Sequence, residues 1–123
     1  MSESITLPYE PANHVFLRGT VATAPVVRTL PSGDELCAFR LTVLRPPDGS
    51  TSSRVKVDSI DCASTRAAVR RSASRWAPGD VVEVTGSLHR RFWRTSAGTP
   101  ASRYEIAAAT VRRAVSADRR TGA

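Results

Sequence analysis

Lysine is nearly missing from this chain: of its 18 cationic side chains, 17 are arginine and only Lys56 is lysine. Aromatic residues are also scarce, at 6% of 123 residues, and there are only two cysteines. Cys37 and Cys62 form no Cys-x-x-Cys pair and no Cys/His cluster, which excludes a zinc site of ordinary spacing. Each falls within an expected strand and reads as a small buried hydrophobe in a reducing compartment. A disulfide between them requires their two strands to pair in a suitable register. No apolar run approaches the roughly 20 residues that span a bilayer, so membrane insertion is not expected. Residues 1–11 lack the charged-then-apolar layout of a secretion signal, and the expected location is the cytoplasm.

Catalytic constellations are missing as well. The glycines form no phosphate-cradling pattern. His14 and His89 stand apart, and nothing in the sequence puts a carboxylate or nucleophile within reach of either. Asp58 and Asp61 are three residues apart in an expected strand and therefore face opposite sides. The chain reads as a binding protein, not an enzyme, with no cofactor and no small-molecule substrate.

What the chain has is positive charge. Eighteen cations against 11 acids give a net charge of +7. That excess points to a polyanionic partner, nucleic acid first and an acidic membrane surface or acidic protein second. GC-rich coding sequence also favours arginine over lysine, but such a bias leaves the charge in place. Arginine in addition forks onto phosphate and stacks on flat rings. With 41% hydrophobic residues, 123 residues suit one domain with a real core.

The segment from Val81 to Arg94 carries the most information. It starts as an alternating strand, with Val82, Val84, Gly86 and Leu88 on one face and Val81, Glu83, Thr85 and Ser87 on the other. It then becomes basic and aromatic: His89-Arg90-Arg91-Phe92-Trp93-Arg94. In an extended chain His89, Arg91 and Trp93 project to one side, and Arg90 and Arg94 to the other. A guanidinium beside an indole suits single-stranded nucleic acid, the cation meeting phosphate and the ring stacking on a base. The alternative is an amphipathic hairpin whose Trp93 packs on its own protein.

The rest of the chain predicts a small β-barrel. Residues 1–12 form an arm. His14 to Ala22 is a first strand, in which Gly19 marks a bulge or a close backbone approach. Pro25 to Arg28 is short and extended, and a turn follows at Leu30 to Asp34. Glu35 to Leu44 and Val55 to Ala63 are the second and third strands, joined by a long loop over Arg45 to Arg54. Ser64 or Thr65 caps a helix that runs to about Trp76. Val69, Ala73 and Trp76 form its apolar stripe, and Trp76 anchors the helix end in the core. Arg66, Arg70, Arg71 and Arg75 make a solvated face. Pro78-Gly79 ends the helix. The Val81 strand and a last strand from Arg103 to Arg112 make a hairpin turning at Ser96 to Gly98. Residues 114–123 are a disordered tail. The expected fold is all-β: a five-stranded OB-fold barrel over residues 13–113, with one helix after the third strand and extended hairpins.

Four segments resemble the bacterial single-stranded-DNA-binding proteins. They are Asn13-His14-Val15-Phe16-Leu17-Arg18-Gly19, the run from Pro25-Val26-Val27-Arg28 to Gly33, Ala38-Phe39-Arg40-Leu41, and Pro78-Gly79-Asp80 through Gly86-Ser87-Leu88. The resemblance implies a homo-oligomer, tetramer or dimer, that binds single-stranded DNA without reading its sequence, in replication, recombination or repair. It makes Trp93 a base-stacking residue, Arg91 a backbone contact and Arg28 the arginine of a recurrent Pro-x-x-Arg turn. Arg54 and Lys56 beside the long loop, Arg90, Arg94, Phe92 and His14 complete the candidate set. Phe92 either stacks on a base or packs between subunits. Further stacking rings expected in the family near Pro46, Pro47, Ser59 and Thr65 are absent here, which leaves phosphate contacts dominant and affinity sensitive to salt. The chain ends Asp118-Arg119-Arg120-Thr121-Gly122-Ala123, without the family's acidic, apolar-tipped tail, so recruitment of partners by that route is not expected. It reads as a tail-less, aromatic-poor paralogue. The alternative function is an OB-fold accessory module that binds protein partners and has weak DNA affinity.

Overall fold

The computed structural model describes residues 6–47 and 56–118. Its elements are β1 (Val15–Val21), β2 (Val26–Thr29), β3 (Glu35–Leu44), β4 (Val57–Ser64), α1 (Ala67–Ala73), β5 (Val81–Arg94) and β6 (Pro100–Val115). Five strands close a ring in the order β1, β5, β6, β4, β3 and back to β1. β1 makes the closure. It runs antiparallel to β5 from Val15↔Gly86 to Thr20↔Val81, and its end crosses to β3 at Thr20↔Thr42 and Val21↔Leu41. Gly19 sits at that crossing, where a Cβ would lie 2.5 Å from the Thr42 carbonyl oxygen. The close-approach reading of Gly19 is the one realised.

The extended segment at Pro25 forms a strand in its own right. β2 pairs with the first half of β3, from Val26↔Ala38 to Thr29↔Glu35, on the same edge that β1 uses further along. In chain order the helix follows β4, which is the third strand of the five-stranded ring, as expected, because β2 lies outside the ring. The ends of α1 differ from expectation. Its N-cap position is Arg66, in extended conformation and with no side-chain cap. The Ser64 hydroxyl instead accepts the Arg66 N–H at 3.1 Å, one step before a capping geometry. The helix stops at Ala73, short of Trp76.

Alternation along the strands fills the interior with Val21, Cys37, Phe39, Leu41, Cys62, Val82, Val84 and Ile106, and α1 adds Val69 and Ala73. Trp76 is only 7% exposed and meets Phe39 edge-to-face, with ring centroids 5.1 Å apart. Burial of one such large side chain contributes about 1.5–3 kcal/mol. Both cysteines are reduced thiols in this core. Burial, with Asp61 and Glu105 nearby, pushes the Cys62 thiol up to about 12, so it stays protonated and inert.

Asp80 ties the end of β6 to the turn before β5. Its carboxylate is 2% exposed and accepts the N–H groups of Ala77 at 2.9 Å and Ala117 at 2.7 Å, with Arg113 at 3.5 Å. Burial alone raises its pKa, but the two backbone donors and Arg113 outweigh that and hold it below the usual carboxylate range. The last strand accordingly runs on to Val115, past Arg112.

The β5–β6 hairpin is longer than the barrel. Register slips at Val81/Val82 and Thr85/Gly86 coil the pair, and Gly86 is pressed against the Ala107 carbonyl where a Cβ has no room. Beyond Leu88, β5 is exposed throughout. The hairpin leaves the barrel as a two-stranded arm paired out to Arg94↔Pro100 and closed through Thr95 and Gly98, whose φ of 82° suits only glycine readily.

Candidate nucleic-acid interface

Residues opposite one another in neighbouring strands share a face. Following the register outward from the core, Arg28 on β2, Arg40 on β3, Asp61 on β4, Arg103 and Glu105 on β6 and Arg91 on β5 come together on the outside of the barrel. They line an open trough of about 300 Å³ whose floor is Val26, Ala38 and Ala63. Small floor residues let a ligand approach the sheet. Trp93 continues the same face of β5 onto the arm, two residues beyond Arg91. It is 40% exposed, with the Arg103 guanidinium 5.6 Å from its ring centroid.

Carboxylates organise the cations. Asp61 bridges Arg40 at 2.9 Å and Arg103 at 3.2 Å, and Glu105 reaches Arg91 at 3.7 Å. Arg28 has no ion-pair partner among the described residues. Four arginines against two carboxylates leave the trough positive. Exposed pairs of this kind are worth about 0–1 kcal/mol each. A phosphate that accepts a guanidinium fork can therefore replace a carboxylate at little cost in protein stability.

The trough thus gathers two of the residues singled out in the sequence, Arg91 and Arg28, and Trp93 stands just beyond its end on the same face of β5. His89 shares their strand face, and its Nε2 lies 2.9 Å from the Ser87 hydroxyl. Arg90, Phe92 and Arg94 lie on the opposite side of the arm. The Arg90 guanidinium lies 5.0 Å from the Phe92 ring centroid and 5.3 Å from that of Tyr104, and donates to the Ser102 hydroxyl. Arg94 donates to the Gly98 carbonyl across the turn at 2.9 Å. His14 is exposed at the foot of the arm, next to Asn13, whose side-chain amide exchanges two 2.8 Å hydrogen bonds with the Leu88 backbone. Lys56 is exposed at the start of β4, away from the trough lining. Arg54 lies outside the described residues.

Sequence reasoning missed Arg40, Arg103, Asp61 and Glu105. Alternation with Cys37, Phe39 and Leu41 already turned Arg40 outward. What the sequence lacked was the register Arg40↔Asp61 and the parallel pairing of β4 with β6 at Cys62↔Ile106. The shortage of stacking rings is real on this face: the β3–β4 pair Thr42↔Ser59 presents a hydroxyl from each strand. Among the described residues no His, Cys, Asp and Glu cluster is arranged to hold a metal ion, and no helix is long and apolar enough to cross a membrane.

A closed five-stranded ring with a helix between its third and fourth strands, β4 and β5, and a cationic trough on one side defines an OB-fold of the oligonucleotide-binding kind. The model of the single-strand binding protein family matches residues 12–114, and the chain belongs to that family. Among solved structures it is similar to the Plasmodium falciparum SSB in its complex with ssDNA. That match has a TM-score of 0.70 and 24% identity, over 82% of this chain and 89% of that one. It is also similar to the small single-stranded DNA-binding protein from Streptomyces coelicolor, with a TM-score of 0.62 and 24% identity, over 82% of this chain and 93% of that one. Among curated protein sequences nothing matches.

Proposed function

We propose that single-stranded DNA lies along the trough, its phosphates on Arg28, Arg40, Arg91 and Arg103 and one base stacked on Trp93. The observation that carries this reading is the cluster of guanidiniums beside a half-exposed indole on one outward face of the ring. Such a surface recognises charge and flat rings, which every base and phosphate supplies, so binding is indifferent to sequence. The protein catalyses nothing; it holds unpaired strands as a homo-oligomer during replication, recombination or repair, in the cytoplasm at the nucleoid. The outer edge of β1 over residues 15–19, where β5 pairs on one side only, offers a strand edge for assembly. Lys56 and His14 stand outside the trough and add at most long-range attraction.

The decisive experiment is fluorescence anisotropy of a labelled oligothymidine at stepped salt concentrations. Binding in the micromolar range or tighter at low salt, with log affinity falling linearly against log salt, is the expected result. No binding at low salt overturns the reading. The carboxylates inside the trough and the single ring favour a second reading, an accessory protein-interaction module with weak DNA affinity. Nuclease-treated pull-downs that retain specific partners, together with weak anisotropy changes, would favour it.

A further inference from the structure

The far side of the arm differs from the trough in charge and chemistry. Residues 88, 90, 92 and 94 of β5 share that side with 100, 102, 104 and 106 of β6, by the pairings Leu88↔Ile106, Arg90↔Tyr104, Phe92↔Ser102 and Arg94↔Pro100. Phe92 is 70% exposed and Tyr104 58% exposed, the two rings flanking the Arg90 guanidinium. None of these eight positions is acidic. Arg91 and Arg103 on the trough side are paired with carboxylates. Arg90 and Arg94 are not; they donate instead to the Ser102 hydroxyl and the Gly98 carbonyl.

We propose that this side of the arm is a second strip for single-stranded DNA, distinct from the trough, in which bases stack on Phe92 and Tyr104 and Arg90 and Arg94 donate to phosphate oxygens. The inference rests on the reading of the trough given above and extends it to the other face of the same hairpin. Charge decides between nucleic acid and protein as the occupant. Covering Arg90 with an apolar protein surface buries a cation without a counter-ion, which is strongly unfavourable. A polynucleotide brings the counter-ion and the flat rings together. Guanidinium-flanked aromatics are a surface on which bases stack without regard to identity. Each guanidinium uses only part of its donor fork within the protein, and the remaining N–H groups are free for phosphate oxygen. A strand leaving Trp93 at the edge of the arm reaches the second strip by turning over two strands' width, about 5 Å from one strand to the next.

The test uses the full chain carrying Phe92→Ala and Tyr104→Ala together, with Arg90→Ala as a second variant that keeps both rings. Oligothymidines of about 5 and about 30 nucleotides are compared, one near the lower end of the site sizes of single OB-folds and one well beyond the upper end. The expected result is that both variants bind the long oligonucleotide about tenfold or more weakly and cover fewer nucleotides per chain. Quenching of Trp93 by the short oligonucleotide stays as in the unaltered protein. Unchanged affinity and coverage on the long strand overturn the proposal. A fall in oligomeric mass on sedimentation, with DNA coverage per chain unchanged, also overturns it by making this side a contact between copies. Absence of short-oligonucleotide binding by the unaltered protein is a different failure, that of the trough itself.

Discussion

β5 is two strands in one, and its halves obey different rules. From Val81 to Gly86 it is a barrel stave, with Val82 and Val84 fully buried and Glu83 held outside by Arg18 and Arg112 at 2.7 and 2.6 Å. From Leu88 to Arg94 every side chain is exposed, yet the pairing with β6 continues without another slip. The first half builds stability from apolar contact. The second has no core beneath it and holds its shape through the β6 ladder, the Asn13 clasp and the Arg90 and Arg94 bonds. Changes in the barrel should therefore unfold the protein, and changes on the arm should alter binding and leave folding alone.

The largest effect is expected at the centre of the barrel. Leu41 is completely buried, so Leu41→Ala should lower unfolding free energy by about 2–5 kcal/mol in a urea titration. Loss below 1 kcal/mol in that experiment would mean the ring is looser than described.

Asp80→Ala should follow, at about 1–3 kcal/mol, because it removes the buried acceptor of the partly buried N–H groups of Ala77 and Ala117. The same carboxylate gives a pH signature. Its pKa, and those of Glu83 beside Arg18 and Arg112 and of Asp58 beside Arg45, are lower in the fold than in the unfolded chain. The unfolded state therefore binds protons first as pH falls. The stabilisation is complete above about pH 5 and is lost progressively below about pH 4, as pH passes through the unfolded and then the folded values. Thermal melts of Asp80→Asn against the unaltered protein should converge in acid. Parallel curves would contradict the assignment.

On the arm, Trp93→Ala should leave the melting temperature within about 2 °C, as an exposed substitution, and weaken oligothymidine binding by about 1–3 kcal/mol. An equal loss of stability would return Trp93 to a structural role. The smallest effect is expected from Asp61→Asn. Removing the carboxylate frees Arg40 and Arg103 for phosphate, so binding at low salt should tighten by a few-fold, the reverse of the usual sign for a substitution in a binding site, with a steeper salt dependence. Weaker binding would show that Asp61 chiefly positions the guanidiniums.

Much of this division was readable in advance. Alternation in Val82-Glu83-Val84 marks a half-buried stave, and the switch to His89-Arg90-Arg91-Phe92-Trp93 marks the point where the core ends. Trp76, at helical spacing from Val69 and Ala73, was legible as core for the same reason. The trough was legible only in part, because Arg91 and Trp93 share one strand while Arg28, Arg40, Asp61 and Arg103 meet across four. That meeting depends on pairing register, which period-two alternation does not encode. The cap of α1 failed for a local reason: Ser64 was still the last residue of β4, and its hydroxyl closed a turn at Arg66 before the helix began.

The measurement that bears most directly on the account is intrinsic fluorescence of the full chain titrated with oligothymidine. Its two tryptophans divide cleanly, Trp76 sealed against Phe39 and Trp93 open beside Arg103. The account predicts saturable quenching that disappears in Trp93→Phe and persists in Trp76→Phe. Binding that leaves the emission of Trp93 unchanged would contradict it.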